Sequence, residues 1–151
     1  MEIPTDGAAY ALAVLFERIE NEYLTAERLP GSRTLRVVRT AKRVDTRKEF
    51  DACWGDLMRA LRSVNRSTLT LLIDTRDAPG RNDPKFETMF APVRAELTRG
   101  FKRVAVVVKY QVSLLQVQRN TKADGASVEV FTDLREATAW LSGGGDPPRS
   151  R

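Results

Sequence analysis

Histidine is absent from the 151-residue sequence, and cysteine occurs once, as Cys53. Without histidine there is no imidazole base, no Ser-His-Asp triad, no Cys-His dyad and no His-ligated metal. A single cysteine excludes an internal disulfide and every multi-cysteine zinc site. Neither glycine-rich phosphate-binding pattern, Gly-x-x-x-x-Gly-Lys or Gly-x-Gly-x-x-Gly, occurs. Apolar runs are short. Ala8 to Phe16 falls well below the roughly 20 residues that span a bilayer. Glu2 and Asp6 precede it rather than a basic segment, so it does not read as a signal peptide. The cytoplasm is the expected compartment, because paired cysteines mark oxidising ones. What remains is carboxylate, lysine, hydroxyl or backbone chemistry, or none.

The length is that of one domain, able to bury about 68–70% of its unfolded surface without a metal or disulfide staple. Hydrophobic residues make up 42% and charged residues 30%, an ordinary globular mixture. Lys and Arg total 25 against 20 Asp and Glu, a net charge of +5. The signs interleave, as in Asp45-Thr46-Arg47-Lys48-Glu49-Phe50-Asp51, which reads as a solvated mixed surface. The most basic stretch holds Arg99, Lys102, Arg103, Lys109, Arg119 and Lys122. Only Phe101 and Tyr110 interleave with it, and no recognised motif accompanies it, so a nucleic-acid partner is not expected. No internal repeat is present.

The second half alternates strand and helix signals. Thr68 to Asp74, Arg103 to Lys109 and Ser127 to Phe131 are short apolar runs of the kind that form strands covered on both faces. Thr46-Arg47-Lys48-Glu49 has the form of a capping box. Behind it Phe50, Trp54, Leu57, Leu61 and Val64 recur at helical spacing. A second helix is expected with Asp83 as N-cap and Pro84 in its first turn. Its stripe is Phe86, Phe90, Val93 and Leu97, and Gly100 is a left-handed stop. Pro92 should kink or restart it. A shorter helix is expected over Gln111 to Asn120, with Val112, Leu115 and Leu114 inward. The last opens with a second capping box, Asp133-Leu134-Arg135-Glu136, and packs through Leu134, Ala137, Trp140 and Leu141.

Nearer the start, Thr34 to Arg39 reads as a strand, and the turn signal Leu29-Pro30-Gly31-Ser32 makes Tyr23 to Arg28 its hairpin partner. Leu12, Phe16, Ile19 and Tyr23 also fit a helical stripe; strands over Val14–Ile19 and Tyr23–Arg28 are preferred. The expected architecture is α/β: an N-terminal β-hairpin, then alternating helices and strands in one mixed, mostly parallel sheet, the crossovers right-handed. Helices covering both faces and helices mainly on one both fit. Residues 1–142 form the expected domain, and 143–151, rich in Gly and Pro, a flexible tail.

At this point the sequence resembles the STAS (anti-sigma-factor-antagonist-like) superfamily, nearest its SpoIIAA-like branch, also labelled STAS/SEC14. The resemblance runs from about Glu20 to Leu141. It rests on Glu22-Tyr23-Leu24, the run from Leu71 to Pro84, Gly100-Phe101, Leu115-Gln116-Val117 and the closing run from Val130 to Leu141. It implies a STAS-like single domain acting as a bacterial regulatory, protein-binding module; some members bind small ligands. In the antagonists a phosphorylated serine near the start of a helix controls partner choice. The matching Asp-Ser-Ser falls near Asp83-Pro84-Lys85, where neither serine is present. Thr75 is the nearest hydroxyl, at the strand end.

The loop from Thr75 to Asp83 joins the carboxyl end of a central strand to a helix start, a usual ligand position in α/β sheets. Asp74, Thr75, Arg76, Asp77, Arg81, Asn82, Asp83 and Lys85 are therefore the expected partner- or ligand-binding residues. Arg81 is suited to grip a carboxylate or phosphate through two parallel hydrogen bonds. The competing reading is a loop held in shape by its own caps and ion pairs. Asp74, Asp77 and Asp83 also admit an acid/base or magnesium reading, the least favoured, since catalytic pairs need shifted pKa values. No metal, cofactor or enzyme activity is expected. The expected partner is a protein; the alternative is a small apolar or anionic ligand, a lipid among them, in a pocket between the sheet and the helix from Pro84. Cys53 reads as a small buried hydrophobe, and Trp54 and Trp140 as core anchors.

Overall fold

The structure, a computed structural model, describes residues 16–80, 84–110 and 128–143. Six strands form one sheet: β1 (Ile19–Glu20), β2 (Leu24–Arg28), β3 (Thr34–Arg39), β4 (Thr70–Asp74), β5 (Val104–Val107) and β6 (Val128–Phe131), and they lie side by side in chain order. The first three pair antiparallel, and β3 through β6 pair parallel. Three helices are described: α1 (Arg47–Leu61), α2 (Pro84–Thr98) and α3 (Leu134–Leu141). The mixed α/β architecture expected from the sequence is borne out, including the N-terminal hairpin.

Local chemistry explains each boundary. The β1–β2 turn is closed by Asn21, whose Oδ1 accepts from the amides of Tyr23 (2.8 Å) and Leu24 (2.9 Å). This side-chain mimicry of a backbone turn starts β2 at Leu24. It also corrects the expected first strand: Phe16 to Arg18 lie outside it, and only Ile19–Glu20 pair. Phe16 instead inserts into the core. The capping box at α1 is complete, with the Thr46 hydroxyl accepting from the Glu49 amide (3.1 Å) and the Glu49 carboxylate accepting from the Thr46 amide (3.1 Å). At α3 only half of the expected box forms. Asp133 accepts from the Arg135 and Glu136 amides, and no bond returns from Glu136. An aspartate already satisfying two end amides needs no second cap. Pro92 does not restart α2, which runs unbroken through it; its ring lies on the exposed side of the helix. Gly100, at φ +84°, ends that helix's turn. The expected Asp83 cap, the helix over Gln111 to Asn120 and the tail beyond Gly143 lie outside the described residues.

The two faces are unequally covered. On one face α1 and α2 pack Phe50, Trp54, Leu57, Leu61 and Leu97 over Leu35, Val37, Leu71, Ile73, Val104 and Val106. On the other, α3 packs Ala137, Trp140 and Leu141 over Leu72, Ala105, Val107 and Phe131. Strands β4 and β5 are thus buried on both sides, which explains their unbroken apolar runs. Strand β3 alternates: Leu35, Val37 and Arg39 are buried while Thr34, Arg36 and Val38 are half-exposed. No described helix covers that part of the second face, so a period of two suffices there.

Candidate functional site

The carboxyl end of β4 opens into the loop that the sequence singles out. Its residues are pinned to the neighbouring strand: Thr75 donates to the Val107 carbonyl through both its amide and its hydroxyl, each at 2.9 Å. The Ala78 amide closes a turn on the Thr75 carbonyl (3.1 Å). Asp74 is buried. Its Oδ1 accepts from the Arg76 amide (3.1 Å) and Nε (2.9 Å), and its Oδ2 from Nη2 (2.7 Å). Burial pushes the Asp74 carboxyl up, but the Arg76 hydrogen bonds and the charges of Arg76 and Arg36 outweigh burial and hold it below the ordinary carboxylate range. Arg76 in turn is raised by its bond to Asp74, with smaller help from the Asp77 and Asp133 charges. The pair closes on itself, as the self-held reading of the loop expects. A carboxylate locked two ways on one guanidinium is poorly suited to exchanging protons at neutral pH.

The eight expected site residues separate accordingly. Asp74, Thr75 and Arg76 are brought together and engaged internally. Asp77 and Lys85 are exposed. Arg81, Asn82 and Asp83 lie outside the described residues. Among the described residues, no group of three or more Asp, Glu or Cys side chains is placed to hold a metal ion.

Residues that the linear reading missed stand beside the loop. Because β5 lies parallel to β4 and accepts Thr75 at Val107, the residues after β5 emerge next to it. Lys109 is exposed, and its Nζ lies 5.5 Å from the centre of the Tyr110 ring. Tyr110, at 59% relative exposure, is the exposed large hydrophobic among the described residues. Asp133, which caps α3 after β6, adds a third neighbour. Adjacent parallel strands necessarily bring such loops together, so the strand order was the signal that could have found them.

The strand order also bears on what the site can hold. In open α/β sheets the ligand crevice forms where the order of strands reverses. Here β3 to β6 follow one another without reversal, and α1 and α2 lie on the same face. The described strands therefore place no topological switch point at this end.

No family model matches the chain, and no curated protein does. Among solved structures, it is similar to a protein of the DUF3478 family from Shewanella loihica PV-4, described as uncharacterized and as having a SpoIIAA-like fold. The likeness has a TM-score of 0.57 at 19% sequence identity and covers 82% of this chain and 98% of that one. At that identity it speaks of architecture alone. The hairpin, the parallel strands with their intervening helices and the closing α3 thus make up a SpoIIAA-like fold.

Proposed function

We propose that the chain is a cytoplasmic, non-enzymatic regulatory module that binds a protein partner through the surface formed by the Thr75–Lys85 loop and Lys109–Tyr110. One observation carries this reading: the loop's buried polar groups satisfy one another, while Asp77, Lys109 and Tyr110 face outward. A rigid base with an exposed tyrosine flanked by both charges has the make-up of a binding hot spot. The Thr75 hydroxyl donates to Val107, and positions 84 and 85 are Pro and Lys, so the usual phosphoacceptor serine is missing from its matching place. A protein captured by the wild-type chain tests the surface. Tyr110→Ala and Asp77→Ala should each weaken its binding, the tyrosine by about 2 kcal/mol or roughly thirtyfold in Kd. Arg81→Ala extends the test to the rest of the loop. If all three bind as wild type, the surface is wrong.

A second reading, a small apolar or anionic ligand in a pocket between the sheet and α2, has its own observation. Among the described residues the buried Trp54 Nε1 has no hydrogen-bond partner, and its ring packs on Phe90, which in turn meets Phe50 and Phe86. Trp54 and Phe90 are 5.3 Å apart and Phe50 and Phe86 6.1 Å, centre to centre. Buried N–H donors normally find an acceptor. Native mass spectrometry of gently purified protein should then show a bound molecule, lost in Trp54→Phe. A bare mass, with no thermal shift across fatty acids and organic anions, removes this reading.

A further inference from the structure

The opposite end of the sheet, where the parallel strands begin, gathers positive charge from segments far apart in sequence. Backbone hydrogen bonds bring them together. Thr70 N donates to Arg33 O (2.9 Å), Leu71 N to Arg103 O (3.0 Å), Lys102 N to Leu69 O (2.9 Å) and Leu69 N to Arg66 O (3.0 Å). The Arg66 guanidinium reaches across to the Arg99 carbonyl (2.9 Å) and clamps the end of α2. Arg62 follows the last residue of α1, at the same end.

Against Arg33, Arg62, Arg66, Arg99, Lys102 and Arg103, the described residues set one paired carboxylate. Glu96 is shared between Arg66 (3.4 Å) and Arg99 (2.9 Å). Arg33, Arg62 and Lys102 are exposed and have no carboxylate partner among the described residues. Ser63, Asn65 and Ser67, also exposed, lie between Arg62 and Arg66 and their neighbours. Like charges held this close repel one another and attract a polyanion.

We propose that this end of the sheet binds the phosphate backbone of double-stranded nucleic acid, without reading its sequence. The chemistry of the surface selects this partner. Five of the six cations are arginines, whose planar forks match phosphate oxygens. Protein interfaces centre on desolvated aromatic or aliphatic anchors, and single strands need exposed rings for stacking. Neither is present here among the described residues: Phe101 is half-buried with the Arg66 guanidinium 5.4 Å from its centre, and Tyr110 projects from the other end. Surface-lying membrane anchors insert apolar side chains beside their charges, and among the described residues this end exposes no large one. Hydroxyl and guanidinium groups without base-reading elements make contacts to phosphate and sugar, which position a duplex but do not specify one. The sequence alone does not reveal the patch, because Arg33, Arg62 and Arg66 join Arg99, Lys102 and Arg103 only through the pairing of β3, β4 and β5.

The inference goes beyond the protein-binding surface and uses the other end of the molecule, so either can fail without the other. Its test is fluorescence anisotropy of a labelled DNA duplex with the full chain, titrated at several salt concentrations. Affinity should fall log-linearly with salt, the slope reporting about 0.9 per neutralised phosphate. The triple variant Arg33→Gln, Lys102→Gln, Arg62→Gln should flatten that slope by about 3 and weaken binding on the order of tenfold or more at low salt. The control Arg43→Gln, Lys48→Gln, Arg135→Gln changes net charge equally, at exposed positions near the other end, and should bind as wild type. A wild-type chain that ignores the duplex at low salt, or binds it with no salt dependence, overturns the proposal. So does equal loss in both variants, or binding to phosphatidylglycerol vesicles in place of the duplex.

Discussion

Asp74 and Cys53 are both buried, and their pKa values move in opposite directions, because only Asp74 has a neighbour strong enough to outweigh burial. Asp74 is held ionised by Arg76. Its depressed value means that the unfolded chain takes up a proton first as pH falls. The stability it contributes is fully present above its ordinary 3.8 and is lost as pH drops through the folded value. Arg76→Ala removes the donors and leaves a buried carboxylate. Urea melts at pH 7 should show a loss of about 1–2 kcal/mol, kept modest because the arginine is partly solvated. The variant should also lose its remaining stability at a higher pH than wild type. Cys53 has only burial to respond to, apart from a small opposing pull from Arg39, and its thiol is pushed up to about 11. The folded thiol stays protonated where an unfolded one ionises, so stability should decline as pH rises past 9.0. Cys53→Ala abolishes that decline. A disulfide exchange reagent at pH 8 should react with the wild-type thiol only as fast as the chain opens; fast labelling of the native protein would contradict its placement.

At the scale of elements, helix ends carry much of the definition. The reciprocal bonds of Thr46 and Glu49 fix where α1 begins, and Thr46→Ala should cost about 1 kcal/mol in urea denaturation. Gly100 occupies the left-handed region, and an added Cβ would meet Arg66 only at an ordinary 3.7 Å. Gly100→Ala should therefore cost about 1 kcal/mol from backbone strain alone, with no steric penalty on top. Both devices were legible in the sequence, because capping is local chemistry between residues three or four apart. The strands β4 and β5 were legible for a related reason: burial on two faces leaves few polar positions to break the run, whereas β3 shows the alternation of a strand covered on one face. The first strand was not. Phe16 and Ile19 satisfy a helical and an extended pattern equally, and the side-chain turn at Asn21 decides between them. The self-paired Asp74 and Arg76 were readable as one of two options. The company of Tyr110, and the convergence of Arg33 with Lys102, were not, since both depend on which strands become neighbours.

Over the whole molecule the sheet divides the core into two unequal parts. The face under α1 and α2 holds the large aromatic and aliphatic cluster. Among the described residues the other is covered by α3, eight residues long and packed through Ala137, Trp140 and Leu141. Trp140 is its main anchor, 5.7 Å from the Phe131 ring on one side and beneath the Arg103 guanidinium on the other, 4.8 Å from its centre. A helix this short is marginal by itself in water, so it stays folded only while docked. The second face should therefore open in a partial unfolding step below the global one. Native-state hydrogen exchange should show α3 amides exchanging ahead of those of β4 and β5, which are hydrogen-bonded on both sides. Trp140→Ala removes about 3–5 kcal/mol of packing. It should release α3 while leaving the α1 and α2 amides protected, and expose Leu72, Val107 and Phe131 to a hydrophobic dye. Simultaneous exchange of all three helices in the variant would instead make the two cores one cooperative unit.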